Sequence, residues 1–529
     1  MAWDPIGLLQ RRRLRHSAAD LGRTWHRRSV EGEDAARIED LRAFVAQMRV
    51  EPGPETIVFA RSRDEHRRPF WVGLRREVFL SRSLATAGAS GSGKTVGALA
   101  VLLQLLRYGA TPTAIVDFKG ELASLVIEVV VPALIALGVS AESLLPNLRV
   151  IRPFDRTRVP LLRITRREDD VPPDVQARSI ATTLCAGVED EFGLRMELIV
   201  LRLVSLLIEL DLPLPRMLDW LSAPALLQRD ARRSKDRATR RYVGEILTRE
   251  NRASIDAVRS RLDLFLLNEG TRLALSAPSC LSFADCLESG LTVIDVGDPP
   301  PGAERLARFW SSVLLSRLTR AALSRRIRPD SPQTLLLFEE FQEGLGRDER
   351  TQFARLLSQV RWKHCSAWFI NQQPAQIAAV DPILLKLLRT NVATEMLYRT
   401  AYEDAKAMAH AMPADRPRNG QRGAGTREDA IEHLTRLKQR ELLVWPKERA
   451  HAHLCRSPRL DLDALRALAD RVPQEIRERI RAGTVSVPAD ELRATLAWES
   501  NEREAQSHEA PDFLRADRAA DDPDGLDLG

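Results

Sequence analysis

Eight residues constrain this chain more than any others: Gly88-Ala89-Ser90-Gly91-Ser92-Gly93-Lys94-Thr95. They fit the phosphate-binding loop pattern, in which a spaced pair of glycines is followed by lysine and a hydroxyl residue. Glycines let successive backbone N–H groups turn to one side and form a nest for an anion. The stretch LATA before the loop reads as a strand, and TVGALAVLLQLLRYG after it reads as an apolar helix. Such a helix points its positive end at the bound phosphates. The expected ligand is ATP with Mg²⁺, bound by Gly88, Ser90, Gly91, Ser92, Gly93, Lys94 and Thr95. Lys94 would reach the β- and γ-phosphates, and the Thr95 hydroxyl would face the metal.

Hydrolysis needs a second carboxylate site at the end of another buried strand, to serve the metal and to activate water. Three predicted strands end in acid: AIVDFKGE at Asp117, TVIDVGD at Asp295, and TLLLFEEF at Glu339 and Glu340. Only the third places two carboxylates together after an apolar run. Successive strand residues point to opposite faces, but past the strand end both can face one site. Glu339 is therefore assigned toward Mg²⁺ and Glu340 as the general base, with Asp295 as the rival. A polar group on a neighbouring strand would sense the γ-phosphate. Gln372, at the end of SAWFINQQ, suits this role, with Gln373 as the alternative and Gln376 opening the next segment.

A long gap separates the glycine loop from Glu339, and its composition explains it. DVQARSIATTLC, MELIVLRLVSLLIEL, RATRRYVGEILTREN and SIDAVRSRLDLFLL have helical periodicity with no clear strand between them. On both sides strands alternate with helices, the pattern of a mainly parallel sheet. The chain therefore divides into a basic helical N-terminal extension (1–50), the first part of an α/β nucleotide-binding core (51–165), an inserted all-α domain (166–285), the second part of the core (286–455), and a helical segment with an acidic tail (456–529). Within 55–80 the runs TIVFA, FWVGL and EVFL read as β-prone, and ELLVWP as the last strand. The tail ADRAADDPDGLDLG reads as disordered. The apolar stretches LASLVIEVVVPALIALGV and MELIVLRLVSLLIEL each carry charges, Glu128 in one and Glu197, Arg202 and Glu209 in the other. Neither offers the roughly 20 uninterrupted apolar residues of a membrane span. Five scattered cysteines form no CxxC pair and suit a reducing cytoplasm. The net charge of +6 is compatible with a polyanionic partner but does not demand one.

The motifs together resemble the FtsK/HerA-type motor ATPases, and within them the type IV coupling proteins of conjugation (TraG/TraD-like). The resemblance rests on GASGSGKT, IVDFKGEL at Ile115–Leu122, RPFD at Arg152–Asp155, LLLFEEFQEGLG at Leu335–Gly346 and INQQPAQI at Ile370–Ile377. It covers roughly residues 55–450. It implies a RecA-like P-loop NTPase core with an inserted all-α domain, assembled as a homo-hexamer that moves DNA through a central channel. It also implies an arginine finger from the next subunit. Arg361 in QVRWKHCSAWF is the first candidate, with Arg389 and Arg399 behind it. Coupling proteins usually begin with a transmembrane hairpin, and this sequence shows none. The implied setting is the cytoplasm, with attachment at the inner membrane only through a partner. Relaxase, secretion-channel and nuclease partners all fit the resemblance. Two other readings stay open: a HerA-like translocase or helicase in repair or antiviral defence, and an ATP-driven motor for protein secretion or assembly. The basic runs RRRLRH and RDARRSKDRATRR are further candidate phosphate contacts.

Overall fold

The structure is a computed structural model that describes residues 31–108, 111–168, 171–186, 193–246, 252–297, 299–345, 347–412, 427–449 and 451–497. The run RRRLRH and the acidic tail lie outside the described residues. The strands are β1 (Arg49–Val50), β2 (Thr56–Arg63), β3 (Pro69–Arg75), β4 (Leu84–Ala87), β5 (Thr113–Asp117), β6 (Leu148–Ile151) and β7 (Arg158–Pro160), then β8 (Leu291–Asp295), β9 (Thr334–Glu339), β10 (Cys365–Asn371), β11 (Thr394–Tyr398), β12 (Glu441–Pro446), β13 (His453–Arg456) and β14 (Ser486–Pro488).

Twelve of these strands form one sheet in the order β1-β3-β2-β13-β12-β11-β4-β10-β9-β5-β8-β6. From β11 to β6 every neighbouring pair is parallel. From β11 back to β1 every pair is antiparallel. The parallel part is buried on both faces, as its near-continuous apolar strands require. Side chains alternate across it. Leu335 and Leu337 of β9 join Leu99 and Leu102 of the helix Lys94–Tyr108 in one core, while Leu336 and Phe338 join the core beneath the other face. Trp368 on β10 donates its indole N–H to Thr86 Oγ1 on β4 at 2.9 Å, tying the two strands together.

Two expectations are corrected here. EVFL is not a strand: Arg76–Leu80 is a short helix that buries Phe79 and Leu80. Tertiary burial of two side chains on one side outweighs the β preference of Val78 and Phe79. Nor is ELLVWP the last strand. The chain continues through β13 and returns in β14, which pairs with β7.

Between β7 and β8 the chain runs through the helices Pro173–Ala186, Leu194–Glu209, Arg216–Ser222, Pro224–Ala231, Arg237–Ile246, Arg252–Leu266, Glu269–Ser276 and Asp285–Glu288. Their apolar core, with Leu203, Trp220 and Phe265, is continuous with the core under one sheet face. The apolar stretch after β5 is a single bent rod: α-helix Glu121–Leu125, a π-turn over Val126–Val130, then α-helix Val131–Ala136. Val129 and Ala133 pack against Leu465 of the helix Leu462–Ala469. Glu128 on the π-turn receives a forked contact from Arg481, 2.7–3.0 Å from both oxygens. Among the described residues no helix is long and apolar enough to cross a membrane.

Candidate active site

Strand order brings the sequence motifs together. β10 lies between β4, which leads into the glycine loop, and β9, which ends in Glu339. At about 4.8 Å per strand, β9 stands about 10 Å from β4, whereas β8 with Asp295 stands about 19 Å away. In register, Asp295, Asp117 and Glu339 lie side by side at the carboxyl ends of β8, β5 and β9. Parallel strands thus place all three acids along one rim.

The glycine loop is cradled by its neighbours. Gly88 N–H donates to the Asn371 carbonyl at 3.2 Å, and Ala89 N–H to the Arg399 carbonyl at 2.7 Å. Gly88 has φ +156° and its missing Cβ would stand 2.5 Å from Tyr398 Cβ, so no side chain fits. Lys94 is buried, and its ammonium folds back to the Ala89 carbonyl at 3.1 Å. Burial lowers its pKa, while Glu340 and Glu339 oppose that shift. Thr95 is half-buried at the start of the helix. Ser90 and Gly91 are exposed and Gly93 half-buried, so the loop faces outward over these residues. Arg440, which the sequence did not signal, braces its far side. Its backbone N–H donates to the Ser92 carbonyl at 2.9 Å and its guanidinium to the Ser457 carbonyl at 2.9 Å.

Glu339 shares the face of Leu335 and Leu337, the side on which the helix Lys94–Tyr108 packs. Burial is the main force pushing its carboxyl up to about 9, with Asp117, Glu340 and Glu121 adding to it and Lys94 opposing. Glu340 turns the chain at the strand end in the left-handed region, φ 54°, ψ 38°. Such a backbone is uncommon for a residue with a side chain and costs on the order of 1–3 kcal/mol. It is held by its N–H bond to the Ile370 carbonyl at 2.9 Å and by Phe341, buried next to it and stacked on Phe353 at 4.7 Å. Burial also raises the Glu340 pKa; Gln342, Lys119, Lys94 and the Gln372 backbone N–H pull it down.

Beside Glu340 lies a network of amides. Gln342 donates to Glu340 Oε2 at 2.7 Å and to Gln376 Oε1 at 3.3 Å, and its own carbonyl oxygen accepts from Asn371. The Gln372 backbone N–H lies toward Glu340 and lowers its pKa, and the Gln372 side chain is half-buried at the rim. Gln373 is exposed. Sequence reasoning overlooked Gln342 and Asn371; their signal was proximity to the strand ends at Glu340 and Gln372. Asp295 is engaged elsewhere: Arg152 of the RPFD motif pairs with it at 3.2 Å, and Gly297 N–H caps it at 3.2 Å. Burial still holds its pKa up at about 6. Asp117 spends both oxygens on backbone N–H groups of Lys119 and Ala123, each at 2.8 Å.

Arg361 is exposed in the 3₁₀ turn Val360–Lys363, at the opposite end of β10 from Asn371. That end is roughly 20 Å from the rim at about 3.3 Å per residue. Arg389 bonds the Ala407 carbonyl at 3.4 Å, and Arg399 is exposed beside the glycine loop.

The fit to a magnesium nucleotide can be judged from unpaired atoms. Ser92 Oγ, Glu339 Oε2 and Glu340 Oε1 are buried and have no hydrogen-bond partner in the protein. Buried polar atoms are nearly always satisfied, and the two glutamate oxygens belong to the carboxylates whose charges act on Lys94 of the glycine loop. Among the described residues no group of three or more His, Cys, Asp or Glu side chains forms a metal cage. Mg²⁺ in nucleotide sites takes most of its ligands from phosphate and water, so none is needed.

No family model matches the chain, and no curated protein sequence matches it. Solved structures do. The chain is similar to the bacterial conjugative coupling protein TrwBdeltaN70 in its unbound form, with TM-score 0.50 and 15% identity, covering 80% of this chain and 93% of that one. It is similar to the plasmid coupling protein TrwB in complex with the non-hydrolysable GTP analogue GDPNP, with TM-score 0.50, 14% identity and coverage of 80% and 92%. It is similar to VirB4 of Thermoanaerobacter pseudethanolicus, with TM-score 0.51, 15% identity and coverage of 79% and 99%. The chain has the RecA-like P-loop ATPase fold of these proteins.

Proposed function

We propose that this chain is a Mg²⁺-dependent ATPase motor of the FtsK/HerA type, close to the conjugative coupling proteins, which uses ATP hydrolysis to move DNA. The observation that carries the chemistry is that Lys94 of the glycine loop lies in the field of two carboxylates, each with a buried unpaired oxygen, Glu339 Oε2 and Glu340 Oε1. The backbone of Gly88–Thr95 binds the phosphates, and Lys94 exchanges the Ala89 carbonyl for phosphate oxygens. Thr95 and Glu339 would hold Mg²⁺, which when bound would supply neutralisation of the phosphate charge. Glu340 takes the proton of the water that attacks the γ-phosphorus, and ADP and phosphate leave. Gln342 keeps the Glu340 carboxylate oriented through Oε2. Gln372 lies at the rim where the γ-phosphate is read.

Arg361 cannot serve its own chain's site from the far end of β10, which supports a role toward a neighbouring subunit's nucleotide. Such a finger is worth about 10³–10⁵ in rate. The reading therefore includes a ring of subunits, in line with a homo-hexamer. DNA as cargo rests on the likeness to TrwB, a plasmid coupling protein. The setting that fits is DNA transfer by a mobile element, with a relaxase, channel or nuclease as partner, in the cytoplasm or against the inner membrane through that partner.

The test is ATP turnover with and without single- and double-stranded DNA, together with particle mass in the presence of nucleotide. Stimulation by DNA and a ring-sized particle are expected. Turnover indifferent to DNA at low salt would replace DNA with a polypeptide cargo.

A further inference from the structure

The motif IVDFKGEL contributes more than Asp117 to the site, and its lysine has no part in the chemistry above. Lys119 follows β5 directly, and the chain is clamped there on every side. Asp117 Oδ1 accepts the Lys119 N–H at 2.8 Å, and Asp117 Oδ2 accepts that of Ala123 at 2.8 Å. Gly120 takes φ +79°, and a side chain there would come 2.9 Å from Asp295 Oδ1. Gly297 packs its bare Cα against the Lys119 carbonyl group, and Gly344 does the same against the Phe118 ring. The backbone of Lys119 thus has little freedom. From this fixed base its ammonium stands 3.8 Å from Glu340 Oε1. Glu340 is fully buried on its side of the pair, whereas Lys119 is 39% exposed.

We propose that Lys119 is a positioning residue for the general base, an inference that rests on Glu340 holding that role. The two oxygens of Glu340 are held differently. Oε2 accepts a hydrogen bond from Gln342 at 2.7 Å, and Oε1 has no hydrogen bond from the protein. Lys119 is the charge beside that second oxygen. With Gln342 on one side and Lys119 on the other, the carboxylate plane is fixed and Oε1 is left to accept from water. Lys94 and Lys119 together set two ammonium groups beside the two glutamates, in a neighbourhood that also holds the charges of Asp117 and Glu121. At 3.8 Å the attraction guides the group without covering its lone pairs, since a hydrogen bond of this type would be shorter, about 2.7–2.9 Å. Lys119 acts through Glu340 and not on the nucleotide.

Four forms of the full chain test this: Lys119→Met, Lys119→Arg, Glu340→Gln and the double variant Lys119→Met/Glu340→Gln. ATP turnover is measured with nucleotide affinity from a fluorescent ATP analogue and thermal melts as a check of folding. A positioned base contributes about 10²–10⁴, so losing part of its orientation should lower kcat by about tenfold in Lys119→Met. KM and nucleotide affinity should stay within about twofold of the parent, because the phosphate contacts are untouched. Lys119→Arg should recover most of the loss, and Lys119→Met should add nothing in the Glu340→Gln background. The inference is overturned if Lys119→Met turns over at the parental rate, if it weakens nucleotide binding by the same factor as kcat, or if it lowers the residual rate of Glu340→Gln. If Glu340→Gln itself keeps full turnover, it is the assignment of the base that fails.

Discussion

At the scale of single residues, the site is defined by what Glu340 is allowed to do. Its left-handed backbone and its amide partners fix one carboxylate orientation. Glu340→Gln keeps the shape and removes the base, so kcat should fall by about 10²–10⁴ while nucleotide affinity holds; a steady-state rate with a binding titration checks this. Lys94→Ala should instead abolish binding of nucleotide. Gln342→Leu leaves Asn371 and Glu340 without their shared partner. Each unpaired buried group costs about 1–3 kcal/mol, so lower turnover should come with a lower urea midpoint. The acids and the glycine loop were legible in the sequence because motif chemistry is local. The amide network was not: Gln342 follows β9 in the 3₁₀ turn Phe341–Gly344 and Asn371 ends β10, and only the parallel pairing of β9 with β10 brings them together. Asp295 stayed a rival in sequence for the same reason, since its pairing with Arg152 spans two distant segments.

At the scale of elements, the glycine-loop helix and β11 form a tight joint. A Cβ at Gly97 would collide with the Tyr398 hydroxyl oxygen, while the ring carbon behind it stays at an ordinary 3.5 Å. Gly97→Ala should therefore destabilise the protein by about 1–3 kcal/mol through overpacking. Removing the hydroxyl with Tyr398→Phe in the same chain should restore the lost stability, measured by paired melts. A second joint holds the N-terminal helix Glu31–Met48 to β13. His453 stacks on Phe44 at 4.1 Å and faces Asp40 at 3.1 Å. Burial drives its pKa down to about 4 against the pull of Asp40. A depressed imidazole is neutral in the folded chain, so its contribution is complete above the unfolded value of about 6.5 and is lost as pH falls toward 4. Acidification through that window should cost on the order of 3 kcal/mol, less in His453→Phe, with hydrogen exchange of the helix as the readout. The alternation of strands and helices was readable from periodicity, and so was the helical block. EVFL was misread because two buried side chains decided its form, which no local propensity reveals.

At the scale of the whole molecule, seven parallel strands carry the chemistry and an antiparallel wing extends from them. The helical block leaves after β7 and returns at β8 beside the edge strand β6, far from the glycine loop along the sheet. If the chain works as a ring on DNA, affinity should fall steeply with salt, since each phosphate contact released contributes about −0.9 to the slope of log K against log salt. Arg361→Ala should lower turnover of the assembled particle by about 10³ and leave nucleotide affinity intact. The rod after β5 has a consequence of another kind. Its Val129 and Ala133 are covered by Leu465, and Glu128 by Arg481. During synthesis that cover emerges about 340 residues later, which at 5–20 residues per second is roughly 17–68 s. Throughout that interval the Val129 and Ala133 face of the rod lacks its cover, although Val126, Ile127 and Val130 share a core with the earlier Leu99 and Leu102, so a chaperone able to hold that one face should raise the yield of folded protein.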